Sequence, residues 1–207
     1  MRRLQAIPAL LSILVALALP AGPPSSAEPT CRCAEARLSN GWCEAHAVGY
    51  VAGVAVENAF LFEALDAHGH DVDPTSFTCP DCQEAIETDG FCAVHRIGFV
   101  DGQAYFSKLT YLLARAKIRR PAELQCPACR LNSEGHGWCE TCRVGQAGAF
   151  TITNRQDFEE LERELRRLRA ASAIARRCQY CGVAAWVDSS CPLCKIAYRE
   201  GRALAPE

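Results

Sequence analysis

Apolar residues recur at helical spacing in three stretches of this chain. Tyr105, Phe106, Leu109, Leu112, Leu113 and Ala116 make one stripe, and Val56, Phe60, Leu61, Ala64 and Leu65 a second, broader one. Phe158, Leu161, Leu165 and Leu168 make the third, with a polar face opposite. Each predicts a helix. Asn154 is placed to cap the third; Glu159, Glu160 and Glu162 crowd its start, and Arg166, Arg167 and Arg169 its later turns, as the macrodipole favours. Glu159–Arg163 and Glu162–Arg166 are spaced for i,i+4 pairing. The third stripe predicts core or repeat-packing surface, with a partner-binding or coiled-coil role as the alternative.

A fourth apolar run is of another kind. Ala6–Leu19 is broken only by Pro8 and Ser12, follows Arg2 and Arg3, and leads into the small and turn-forming residues Pro20–Ala27. This layout predicts a secretory signal peptide over residues 1–27, cleaved after Ala27, with Ala21 as a second candidate. At about 14 residues the run is short for a bilayer span, and an uncleaved anchor is the alternative. No other apolar stretch is long enough to cross a membrane, so the mature chain is expected to be exported, in a periplasm or secreted.

Between the helical stripes lie the cysteines, 14 in all, and they follow one pattern four times. Each copy has a close pair, a gap of nine residues, then Cys-x-x-Cys or Cys-x-x-His. The copies are Cys31/Cys33 with Cys43/His46, Cys79/Cys82 with Cys92/His95, Cys126/Cys129 with Cys139/Cys142, and Cys178/Cys181 with Cys191/Cys194. Spacings of 49, 47 and 52 residues separate Cys33, Cys82, Cys129 and Cys181, which marks a repeat array. Copies 1 and 2 agree beyond the cysteines. Asn40-Gly41-Trp42 matches Asp89-Gly90-Phe91, and Gly49 and Gly53 match Gly98 and Gly102. Copy 3 keeps Gly137-Trp138 and Gly145. Copy 4 has Ser189-Ser190 instead, and Trp186 is expected to fill a similar apolar position. Asn-Gly and Asp-Gly predict sharp turns before the second pair. The aromatic that follows is expected to shield the site and serve as small core.

Two readings of the cysteines stand at this point. Exported chains commonly form disulfides, and 14 cysteines allow seven. Copies 1 and 2, however, hold three cysteines each and cannot close within themselves. A histidine replaces the last cysteine in phase there, and a histidine ligates zinc but forms no disulfide. The constant nine-residue gap favours one ion per copy over cross-braced pairing between copies. Two short arms and a turn then join two knuckles, with Pro80, Pro127 and Pro192 stiffening them. The expected ligands are all 16 residues named above, holding four Zn²⁺, with iron or copper as alternatives. A closed four-ligand site leaves no open position, which favours structure over catalysis. Copy 1 is irregular: Cys31-Arg32-Cys33 is one residue short, so Cys31 is expected to bind weakly or stay free. His68 and His70 lie in a polar loop and are read as solvated, with a metal contact as the sharper reading. His136, between Gly135 and Gly137, is read as an exposed turn residue.

At these residues the chain resembles zinc-ribbon or treble-clef modules. The resemblance covers about 16 or 17 residues per copy, and the Cys-Pro-x-Cys form of copies 2 and 3 is typical of them. It implies structural Zn²⁺ and frequent use in macromolecular recognition. Cys178-Gln179-Tyr180-Cys181-Gly182 is also similar to a rubredoxin iron knuckle, although the gap to the next pair is much shorter. The expected fold is small α+β: four tandem metal-stabilised knuckle repeats with intervening helices. Its parts are repeat 1 over 28–66, a linker over 67–78, repeat 2 over 79–120, repeat 3 with the long helix over 121–177, and repeat 4 with a tail over 178–207.

Charge narrows the partners. Residues 28–207 hold 20 Lys+Arg and 24 Asp+Glu, a formal −4; fourteen thiolates add −14 and four Zn²⁺ return +8, leaving −10. That disfavours nucleic acid and leaves a protein partner as the expectation. The leading function is a non-catalytic zinc-stabilised scaffold or interaction surface. Metal sequestration or delivery and thiol–disulfide exchange through a Cys-x-x-Cys pair are the alternatives.

Overall fold

The structure, a computed structural model, describes residues 31–205. The expected signal segment lies outside these residues. No described helix is long and apolar enough to cross a membrane.

Left-handed turn residues recur in phase and fold the chain into four copies of one unit. In the first, α1 (Cys33–Ser39) ends at Asn40, which has φ 53° and ψ 45°. Strand β1 (Trp42–Cys43) follows, then a tight loop through His46, then the hairpin β2 (Val48–Val51) and β3 (Val54–Val56), then α2 (Ala59–Leu65). After β4 (His70–Asp71), the second unit repeats the order with α3 (Pro80–Glu87), β5 (Phe91–Cys92), β6 (Ile97–Val100), β7 (Gln103–Tyr105) and α4 (Lys108–Ala114). After β8 (Lys117–Ile118) come α5 (Pro127–Gly135), β9 (Gly137–Cys139), β10 (Val144–Ala147), β11 (Phe150–Ile152) and the long α6 (Arg155–Ala175). The fourth unit has α7 (Gln179–Val187), a single bridge between Ser190 and Ala197, and the hairpin β12 (Tyr198–Arg199) and β13 (Arg202–Ala203). All pairings are antiparallel, giving a small α+β fold of small sheets.

The hairpin turns explain the glycines. Ala52-Gly53, Asp101-Gly102 and Glu200-Gly201 all have positive φ at both residues, the type I′ geometry that matches strand twist. A side chain from the turn before each second ligand pair holds this hairpin. Asn40 Oδ1 accepts from the Ala52 N–H at 2.8 Å, Asp89 from Asp101 at 2.9 Å and Asp188 from Glu200 at 2.6 Å.

The hairpins also move the helix boundaries expected from periodicity. Val56 and Tyr105 lie in strands, and the helices start only after Asn58 and Ser107, whose side chains accept from Leu61 N–H and Thr110 N–H. Asn154 caps α6 as expected, accepting from Asp157 N–H at 3.0 Å. Of the helix's ion pairs, Arg155–Glu159 forms, but Glu160 turns to Lys108 at 3.1 Å; the expected Glu159–Arg163 and Glu162–Arg166 pairs do not form among the described residues. Segment 67–78 does more than link. Its β4 joins the second sheet, with His70 opposite Ala104, as β8 joins the third, with Ile118 opposite Phe150.

The three apolar stripes meet in one core. Leu61 and Leu65, Leu109 and Leu112, and Phe158, Leu161, Leu165 and Leu168 are all buried, together with Ala184, Ala185 and Trp186 of α7. Phe60 and Phe106 are not part of it; they are 41% and 50% exposed. Gly182 lets α7 close onto α6, since a Cβ there would overlap Ala175.

Candidate metal centres

Each centre combines a helix start with a loop. Cys79 is the N-cap residue of α3 and Cys126 that of α5, with Pro80 and Pro127 at the first helical position. This corrects the expectation of two knuckles joined by short arms. Proline at that position pre-sets the helix start and forgoes no bonded N–H, so Cys-Pro-x-Cys here opens a helix. The second pair sits where the last cysteine of β1, β5 or β9 leads into the tight loop, and residues Ala47, Arg96, Arg143 and Lys195 close that loop with φ between 45° and 57°. In the third copy the helix start places the Cys129 N–H of the first helical turn against the Cys126 sulfur.

Four groups of four donors result, one per copy. The ligand atoms of Cys31, Cys33, Cys43 and His46 all lie within 4.8 Å of one another, as do those of Cys79, Cys82, Cys92 and His95, of Cys126, Cys129, Cys139 and Cys142, and of Cys178, Cys181, Cys191 and Cys194. Cross-bracing between copies is thereby removed. Cys31 joins its cluster despite the shortened pair.

The separations suit a metal ion better than a disulfide. Sγ atoms of Cys126 and Cys139 are 3.8 Å apart, Cys178 and Cys191 3.9 Å, and Cys178 and Cys194 3.8 Å. A disulfide needs about 2.0 Å. Four sulfurs at about 2.3 Å from a tetrahedral ion stand roughly 3.8 Å apart. For a mixed site the expected S···N separation is roughly 3.5 Å. His46 Nδ1 lies 3.3 Å from Cys33 Sγ and 3.6 Å from Cys43 Sγ, and His95 Nδ1 lies 3.3 Å from Cys82 and 3.6 Å from Cys92. All described cysteines are free thiols. These residues therefore fit four tetrahedral metal ions.

Backbone donors and burial divide the thiols. The Cys139 and Cys191 sulfurs accept N–H bonds from Cys142 and Cys194 at 3.5 and 3.3 Å. Cys43 is lowered to about 6, chiefly by the Arg32 N–H and then by the His46 ring. Cys126 is lowered to about 7, first by the Cys129 N–H. Burial, then the neighbouring Cys92 and Cys79, push Cys82 up to about 12. One thiolate thus raises the next, and a divalent cation reverses that penalty, so metal uptake releases protons.

The aromatic after each turn glycine has a partner the sequence reading did not assign. Trp42 stacks on Phe62, Phe91 on Tyr111 and Trp138 on Phe158, with ring centroids 5.3, 5.4 and 5.8 Å apart. Beneath each stack lies Gly49, Gly98 or Gly145, directly opposite the first aromatic across the strand pair. A Cβ on any of these glycines would overlap the helix aromatic. The signal was present: Phe62, Tyr111 and Phe158 each stand 13 residues after their glycine. Trp186 does not copy this role. It is buried on α7, and its carbonyl accepts from Arg167.

His136 is not a free turn residue either. Its Nε2 lies 2.7 Å from the Ala52 carbonyl of the first unit and its Nδ1 2.7 Å from Arg169 of α6. It occupies the turn position of Asn40, Asp89 and Asp188, but redirects the bond from its own hairpin to a neighbour's.

Comparison with known proteins returns no match: no family model, no curated protein and no solved structure is significantly similar to the chain.

Proposed function

We propose that the chain is an exported, non-catalytic zinc protein whose four metal-stabilised units form a scaffold for a protein partner. The observation that carries this reading is the set of four donor groups at tetrahedral separations, each closed within its own unit. Tetrahedral S₄ and S₃N sites suit Zn²⁺; iron fits the two S₄ sites less selectively, and copper prefers other geometries. With all four positions taken by protein, such an ion binds no substrate. Its contribution is to folding, since units this small bury little apolar surface alone. The layout of residues 1–27 supports export.

Metal analysis by native mass spectrometry, on protein purified without chelator, tests the reading. The expected mass is that of the chain plus four Zn²⁺, with unfolding when a strong chelator is added. Fewer than one metal per chain, or a mass showing seven disulfides, sinks it.

One observation favours delivery as a second reading. The first site is the most open, with Cys31 and His46 exposed and Cys33 half-buried, whereas Cys82, Cys129 and Cys181 are buried. Under delivery, that ion is cargo, and it exchanges while the chain stays folded.

A further inference from the structure

Five histidines occur in the chain. His46 and His95 face sulfur clusters, and His136 is tied to Ala52 and Arg169. The other two, His68 and His70, converge on one carboxylate. Asp66 ends α2 in the left-handed conformation, φ 48° and ψ 60°, with its N–H bonded to Glu63. The chain leaves Asp66 through a bend at His68 and enters β4 at His70, which brings the three side chains together. The segment is fixed in place. His70 pairs opposite Ala104, and Gly69 lies so close to Gln103 and Tyr105 that a Cβ would overlap both. The Phe106 ring packs 5.0 Å from His70.

The donor geometry is specific. His70 Nε2 stands 2.9 and 2.8 Å from the two Asp66 carboxylate oxygens, and His68 Nδ1 stands 3.2 Å from Oδ1. The two imidazoles are 4.6 Å apart, and all three ligand atoms lie within 4.8 Å of one another. Ligands held at about 2.1 Å from a first-row divalent ion, at 90–110° to one another, stand roughly 3.0–3.4 Å apart. The His68 contact of 3.2 Å lies in that range, and the His70 contacts of 2.9 and 2.8 Å fall just short of it, so an ion would spread them slightly. An ion pair needs one imidazole; here two meet a single carboxylate. We propose that Asp66, His68 and His70 form a fifth metal site, for a divalent transition ion such as Zn²⁺.

Its chemistry differs from that of the four thiolate centres. Two imidazoles and one carboxylate prefer Zn²⁺, Co²⁺, Ni²⁺ or Cu²⁺ to Ca²⁺ or Mg²⁺. Three protein ligands leave at least one position to water or another ligand, and the side chains of His68, His70 and Asp66 are 75, 36 and 29% exposed. The site is therefore open and exchangeable, where the thiolate centres are closed. It also stands apart from the scaffold reading, since none of its ligands belongs to the four cysteine groups.

Co²⁺ added to the Zn²⁺-loaded chain is the probe, followed by visible absorption and by the imidazole proton resonances. One further equivalent should bind, with d–d bands but no thiolate-to-cobalt charge transfer. The His68 and His70 resonances should broaden and that of His136 should not. His68→Ala, at an exposed position, should keep the fold and the four zinc ions and weaken Co²⁺ binding by more than about 100-fold, above the effect of losing an outer-shell partner. Absence of a further equivalent overturns the proposal, as does an equivalent that His68→Ala leaves unchanged. Because wild type and variant are compared directly, the result reads the fifth site whatever the state of the cysteines.

Discussion

His136 holds its two bonds only as a neutral ring: Nδ1 accepts from Arg169 while Nε2–H donates to Ala52. Burial, the larger cause, and the Arg169 charge keep its pKa below the ordinary value, against the opposing pull of the Ala52 carbonyl and Glu162. The unfolded chain therefore takes up the proton first. The ring's contribution is complete above about pH 6.5 and is lost as pH falls through the folded value. His136→Ala removes both bonds. Urea unfolding of the zinc-saturated wild type and variant should differ by about 1–2 kcal/mol at neutral pH, and the difference should shrink as pH falls below about 6.5. A difference that stays constant over that range would show that the ring does not titrate in the way its tautomer requires. The same contact explains Gly148, whose φ is 61° and whose Cβ would meet the Ala52 carbonyl carbon at 2.9 Å. The importance of His136 was illegible in the sequence because its partner Ala52 lies 84 positions away.

At the scale of elements, the aromatic stacks couple each metal loop to the helix that follows its hairpin. Gly98 gives a direct test, because a Cβ there would overlap the Tyr111 ring and stand 2.5 Å from its Cβ. Gly98→Ala should lower stability by about 1–3 kcal/mol, as overpacked positions do, while leaving four metals bound. Thermal melts with parallel metal analysis check it, and an unchanged melting temperature would remove the stack from the account. These elements also show what the sequence could and could not reveal. The donors and the Asn-Gly and Asp-Gly turns were legible because spacing and turn chemistry are local. The hairpins were not. Val48–Val51 and Val54–Val56 are too short for a period of two to stand out, and their apolar residues merged with the helical stripe that follows. The helical reading of the first ligand pair was likewise hidden, because Cys-Pro-x-Cys suits a knuckle turn as well as a helix start.

Across the whole molecule, α6 and Asp188 join units that are far apart in sequence. Asp188 pairs with Arg96 at 2.6 Å and Arg167 at 2.7 Å, and the side chains of Asp188 and Arg167 are only 20 and 10% exposed. It also holds its own hairpin through Glu200. Asp188→Ala leaves Arg167 without its carboxylate in a mostly buried setting, and should cost about 3 kcal/mol in chemical unfolding. A loss near that of a surface charge, about 0.5 kcal/mol, would mean that the units are joined by apolar packing alone.

The same integration sets the order in which metal leaves. In the first unit the missing residue delays the helix, so Cys33 stands at its first position, whereas Cys82 and Cys129 stand at the third of theirs. Cys31 precedes the helix and is exposed. Its ion is thus held by ligands that water and chelator reach most easily. Yet losing it need not unfold the unit, because Leu61 and Leu65 of α2 remain in the common core with Trp186. Graded chelation of the chain carrying only the four ions of its cysteine centres should therefore release one zinc equivalent before any change in circular dichroism. Alkylation at that stage should mark Cys31, Cys33 and Cys43 and spare the other clusters. The remaining three equivalents should leave together with the fold, since their buried second cysteines become accessible only when the helices part. Release of all four in one step, or first labelling at Cys142 or Cys194, would refute this order.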